Sequence, residues 1–301
     1  MQNTSQAIQA LLEARLEDGP RAFLAERSSE IAAGVEHGRF SSLLSMASRH
    51  IPRGLLDPTP DELERCEALL PGWTPERWTL LETARVQMIL SRGDLDQESG
   101  ADALEEAFRY ADEGELCALY RSLVHWPKPE RFAWRAGEGC RTNMRSVFEA
   151  VACDTPYPAT YFDDIAWRQL VIKAIFVEAP LWRVVGLDRR LDAELARMAL
   201  DLADERRSAG RNVQPELWLV LGSHGGARGL ESIERELASS FTPGRCAAAL
   251  ALARAGEQDR LARFAESESE PCVAETMRSA LSGAFDQRQF RNLEKLPVET
   301  N

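Results

Sequence analysis

The sequence predicts an all-α protein, built as an irregular α-solenoid or array of antiparallel helix pairs. Three observations lead there. Apolar residues recur along much of the chain at the spacing of one helix face. Proline and glycine fall where helices start and stop. Convincing period-two alternation flanked by hairpin turns is absent.

The elements follow in order. Helices are expected over residues 5–16, 20–33 and 40–50. Thr59-Pro60-Asp61-Glu62 combines an N-cap, a proline at the first helical position and a capping-box glutamate, which opens 60–70. Thr74-Pro75 opens 75–92 in the same way, and Gly93 stands where a left-handed C-cap needs glycine. Leu104, Ala107, Phe108 and Ala111 stripe 101–112, and Leu116, Leu119, Tyr120 and Leu123 stripe 115–126. Met144, Val147, Phe148 and Val151 do the same for 143–153. The turn Asp154-Thr155-Pro156-Tyr157-Pro158 is read as non-helical, because each proline pushes its predecessor out of the α region.

Residues 163–178 form the most apolar helix. Trp167, Leu170, Val171, Ala174 and Ile175 make its stripe, and Ile165, Ile172 and Phe176 extend it sideways, so it is expected to be a central, buried element. Leu195, Met198, Ala199 and Leu202 stripe 193–209. Helices at 215–221, 230–239, 243–255, 259–265 and 272–285 complete the series, with Thr242-Pro243 and Gly256 bounding one of them. One domain is expected over 1–301, with a proline-flanked subregion at 1–72, helical hairpins at 228–286 and a disordered tail at 291–301. No fixed repeat period is present.

Composition narrows the function classes. The net charge of −12, from 36 basic and 48 acidic residues, argues against a nucleic-acid partner and a broad anionic-membrane footprint. No stretch approaches the roughly 18 apolar residues of a membrane span. Residues 1–9 hold neither a basic n-region nor an apolar h-region, so a cytoplasmic location is expected. The six cysteines (Cys66, Cys117, Cys140, Cys153, Cys246 and Cys272) include no CxxC and read as free buried thiols. His37, His50, His125 and His224 are scattered singly, so neither metal nor cofactor is expected.

The densest polar chemistry lies in 141–176. Arg145 and Glu149 are one helical turn apart and can pair, as can Asp164 and Arg168. A sharper reading lines a pocket with Arg145, Glu149, Tyr157, Tyr161, Gln169 and Lys173, the strips of two helices facing across one cleft. Asn143 joins them as a ligand candidate, as do Asp188 and Arg189, which precede a helix. Asp163-Asp164 lacks the third acid of a prenyl-type metal motif and suits a helix N-terminus. Gly222-Ser223-His224-Gly225-Gly226 has no strand before it and no GxSxG partner, and reads as a flexible loop.

Several unusual segments occur in a recognisable order. They are Asn143-Met144-Arg145-Ser146-Val147-Phe148-Glu149-Ala150-Val151-Ala152, Pro156-Tyr157-Pro158, and Trp167-Arg168-Gln169-Leu170-Val171-Ile172-Lys173-Ala174. Gly186-Leu187-Asp188-Arg189-Arg190, Glu205-Arg206 with Gly210-Arg211, and Pro215-Glu216-Leu217-Trp218 follow. Together they resemble EboA-domain proteins. The likeness is concentrated in 141–218, and the N-terminal half matches only in being helical. Many members of that family carry asparagine where this chain has Thr155.

The resemblance implies a bacterial accessory protein that helps move a secondary-metabolite precursor across the inner membrane, beside companion proteins of the same pathway. Two functional readings follow. One is a non-enzymatic scaffold that binds a small metabolite or those companions. The other is an enzyme of unfamiliar type acting on an isoprenoid or aromatic metabolite, with Arg145, Glu149 and Lys173 in its pocket.

Overall fold

The computed structural model describes residues 2–296, and the side chains of 4–296. Among the described residues sixteen α-helices run in order: α1 (Gln2–Glu13), α2 (Asp18–Ala32), α3 (His37–Met46), α4 (Pro60–Leu69), α5 (Leu80–Leu90), α6 (Glu98–Tyr110), α7 (Glu113–Ser122) and α8 (Ala133–Gly139). Then come α9 (Arg145–Ala152), α10 (Tyr157–Tyr161), α11 (Asp164–Phe176), α12 (Ala193–Ser208), α13 (Gly226–Leu237), α14 (Thr242–Arg254), α15 (Gln258–Ser267) and α16 (Pro271–Leu281). Short 3-10 helices join several of them. Among the described residues, β pairing is limited to one bridge between Leu55 and Thr79. The fold is all-α, and no described helix is long and apolar enough to cross a membrane.

The chain divides into two compact units, Met1–Trp167 and Arg168–Asn301, with the boundary inside α11. In the first, α5 is central. Nearly all of it is buried, and it packs against α1, α2 and α7. α7 in turn packs on α9, and α3 packs on α6. In the second, the alanine-rich α14 is central, against α13, α16 and the 3-10 helix Pro215–Val220. A helix buried on all sides must be apolar all round, and the Ala-Leu sequence of α14 meets that need with side chains small enough for close approach.

Local signals account for many boundaries. Thr59 caps α4 with the expected capping box to Glu62. Asp163 caps α11, its carboxylate accepting the Ala166 N–H at 2.7 Å. Gly256 follows α14 with φ of 83°, the left-handed position that favours glycine.

Other expectations are corrected. The helix placed at 75–92 starts at Leu80. Thr79 is held extended in a bridge to Leu55, with Leu56 N–H donating to the Trp78 carbonyl at 2.8 Å and Leu80 N–H to the Gly54 carbonyl at 2.9 Å. Thr79 then supplies a second capping box with Glu82. Gly93 is not left-handed; it allows close approach, since a Cβ there would lie 3.3 Å from the Ala32 carbonyl. The turn ends at Pro156: Tyr157 and Pro158, read as non-helical, form the first turn of α10, where the missing proline N–H breaks no helical bond. Residues 129–139, where no helix was expected, form a 3-10 helix and α8. The 215–221 helix is 3-10, as is Gly222–His224 in the glycine-rich segment.

α11 buries Trp167, Leu170, Val171, Ala174 and Ile175 as expected. Its sideways extension fails, because Ile165 and Phe176 are 66% and 67% exposed. The tail is ordered as far as it is described, in the 3-10 helix Gln287–Lys295. Phe290 is fully buried, and the Gln287 amide donates to the carbonyls of Leu181, Trp182 and Val184 at 2.8–3.1 Å. The rest of the expected disordered tail, 297–301, lies outside the described residues.

Candidate functional site

The expected site residues divide between the two units. In the first, Arg145 donates to Glu149 at 2.7 Å along the exposed face of α9, the predicted one-turn pair. Asn143 is exposed just before that helix. Tyr157 is buried, and its hydroxyl donates to the Pro129 carbonyl at 2.7 Å. Burial holds its phenol well above the ordinary range, and raises Tyr161 in the same direction. The two rings lie 4.9 Å apart. Tyr157 is therefore spent on tying α10 to the Pro129 turn. Thr155 Oγ1 accepts the Tyr157 N–H at 3.3 Å, so threonine makes a side-chain bond within this turn.

In the second unit, Gln169 is exposed, and Lys173 lies 5.1 Å over the Phe176 ring. Arg168 forks onto Asp192, with Nε and Nη2 at 3.0 and 2.8 Å from Oδ2. Asp188 pairs with Arg254, and Arg189 is exposed.

The first unit also contains a groove that the sequence did not single out. It has a volume of about 590 Å³ and lies between α3 with its trailing 3-10 turn Ala47–Arg49 and the junction of α6 and α7. Leu44, Ala107 and Leu119 form an apolar floor. One wall is a stripe of serines, Ser41, Ser42, Ser45 and Ser48, ending in Arg49. The other carries Tyr110, 70% exposed, with Asp112 and Glu115. The spacing of the stripe, i, i+1, i+4, i+7, is one face of a helix. The opposite face carries Phe40, Leu43 and Ala47 into the core. That polar stripe was the available sequence signal, and serine is too common on helix surfaces for it to stand out.

The carboxylates of this groove are already engaged. Asp112 caps α7 by accepting the Glu115 N–H at 2.7 Å. Glu115 in turn accepts the Asp112 N–H at 3.1 Å and faces the buried Arg85 at 3.4 Å. A second, wider groove of about 800 Å³ runs from Ile31–His37 to Arg92–Asp94. There Arg92 is locked to Asp94 at 2.8–2.9 Å and lies over the Phe40 ring. Neither groove includes any of the residues expected from the sequence.

Reactive chemistry is muted elsewhere. Burial pushes the thiols of Cys66 and Cys117 up to about 11 and those of Cys140 and Cys246 up to about 12, away from the thiolate form. Among the described residues no group of three or more His, Cys, Asp or Glu is placed to hold a metal ion.

Fold and groove together define an all-α protein with a hydroxyl-rich surface cleft. The family model described as metabolite traffic protein EboA matches residues 4–222, most of the chain, and the protein belongs to that family. The match begins far upstream of the 141–218 segment that carries the motif likeness, and it takes in the whole groove. No curated protein and no solved structure gives a significant match to the chain.

Proposed function

We propose that the protein is a non-enzymatic, cytoplasmic accessory of metabolite traffic that binds a small polar metabolite in the groove between α3 and the α6–α7 junction. The observation that carries this reading is the lining of that groove. An apolar floor walled by the exposed hydroxyls of Ser42, Ser45 and Ser48, an arginine and a tyrosine suits a small hydrogen-bonding ligand, and all of it falls within the family-matched residues. The exposed Asn143 and Arg145 of the first unit, and Gln169 and Arg189 of the second, serve in this reading as contact positions for companion proteins. Glu149 holds Arg145 in place through its ion pair.

Saturation-transfer NMR with pooled polar metabolites tests the reading. Wild-type protein should transfer magnetisation to a subset, and Ser45→Trp, which fills the groove from an exposed position, should abolish it. Equal transfer in both proteins, or none in either, overturns it.

A further inference from the structure

The groove's own hydrogen bonds specify the chemistry of what it can hold, and this step rests on the reading that the groove is a binding site. Three serine protons are already committed. Ser42 Oγ donates to the Gly38 carbonyl at 2.8 Å, Ser45 Oγ to the Ser41 carbonyl at 3.2 Å and Ser48 Oγ to the Ser45 carbonyl at 2.8 Å. What these hydroxyls leave open is oxygen lone pairs, so that wall accepts hydrogen bonds. It favours a ligand that brings donors, such as hydroxyl groups.

The charges point the same way. Asp112 and Glu115 are occupied by the start of α7 and by Arg85, whose side chain is 3% exposed. Arg49 differs, because its guanidinium is exposed and makes no ion pair or side-chain hydrogen bond among the described residues. It is the uncommitted charge of the groove, and a planar guanidinium matches a carboxylate or phosphate with two parallel bonds. The Tyr110 ring at the opposite rim offers a flat apolar face for a carbon skeleton.

We infer that the groove takes a small hydroxylated acid, whose one carboxylate or phosphate pairs with Arg49 while its hydroxyls donate to the serine oxygens. Neither half suffices alone. A bare anion leaves the serine wall unused, and a neutral polyol leaves Arg49 in water.

Calorimetric or NMR titration with matched probes tests this. Gluconate and sorbitol share a skeleton and differ in the acid group. Glycerol 3-phosphate and inorganic phosphate share the anion and differ in the hydroxylated carbons. At least one acid probe should bind about tenfold more tightly than its control. Arg49→Gln should remove that margin, and Arg53→Gln, an equal loss of charge at an exposed arginine outside the groove, should leave it intact. Whichever acid prevails identifies carboxylate or phosphate as the anionic group. The inference is overturned if sorbitol matches gluconate and phosphate matches glycerol 3-phosphate, if Arg53→Gln is as damaging as Arg49→Gln, or if neither acid binds. If the acids fail while another metabolite shows binding sensitive to Ser45→Trp, the binding groove stands and only its ligand class falls. If no metabolite shows such binding, the underlying reading falls as well.

Discussion

Arg85, midway along α5, and Glu115, in the first turn of α7, form a buried ion pair at 3.4 Å, and the same arginine donates through Nε to the Leu44 carbonyl at 3.1 Å. One side chain thus joins α3, α5 and α7 beneath the groove. Breaking one half of a buried pair leaves a charge without its partner. Arg85→Met should cost about 3–5 kcal/mol in a urea melt. Adding Glu115→Gln should restore part of that loss. A cost below about 1 kcal/mol would mean that water already screens the pair.

His125 should make the protein sensitive to acid. The ring is almost fully buried, packs edge-on at 4.7 Å from Trp73, and has no hydrogen-bond partner on either nitrogen among the described residues. Burial holds its imidazole down at about 3. An unfolded histidine takes its proton near 6.5. Between those values the unfolded chain binds a proton that the folded chain refuses, so this group lowers stability as pH falls through that window. The slope is at most about 1.4 kcal/mol per pH unit. His125→Phe should flatten the change in urea midpoint between pH 7 and pH 4.5. An unchanged profile would assign the acid sensitivity to other groups.

α11 should respond unequally on its two sides. Trp167 is 1% exposed, and Trp167→Ala should cost about 3–5 kcal/mol. Ile165, two residues earlier, faces solvent, and Ile165→Ala should stay within about 0.5 kcal/mol. Chemical denaturation of the two variants measures the contrast, and similar losses would mean that the exposed face is covered in solution.

The start of α5 can be located by its cap. Thr79→Ala removes the side-chain acceptor for the Glu82 N–H and should cost about 1 kcal/mol. Thr74→Ala, at the start expected from the Thr-Pro pattern, should cost less, because Thr74 accepts only a long 3.4 Å bond from the Glu76 N–H. The reverse order in thermal melts would place the helix start at Pro75.

Most helices were legible because their signals are local. Thr59 and Glu62 lie three residues apart, and the apolar faces of α6 and α9 repeat within two turns. Misreadings arose where distant chain intervened. Thr79 is extended because residues 54–56 bond on either side of it, which no window around Thr74-Pro75 contains. Ile165 and Phe176 are as apolar as Ile175, yet only Ile175 meets the core. The polar candidates suffered the same way. Arg145 and Glu149 were read correctly as a pair, whereas Tyr157 went to the carbonyl of Pro129, 28 residues away in the chain.

By itself, then, the sequence determined the helical class, the caps, the apolar stripes and the family likeness, all of which follow from bonds and contacts within a few residues. Tertiary structure alone decided which faces are buried, and it made the groove. Ser45 and Arg49 are brought opposite Tyr110 and Glu115 because α3 packs on α6 while Arg85 draws α5, α7 and the Leu44 carbonyl together. Those partners lie 30 or more residues apart in the chain, so no local periodicity encodes their meeting; it is set by how the whole unit buries its apolar surface.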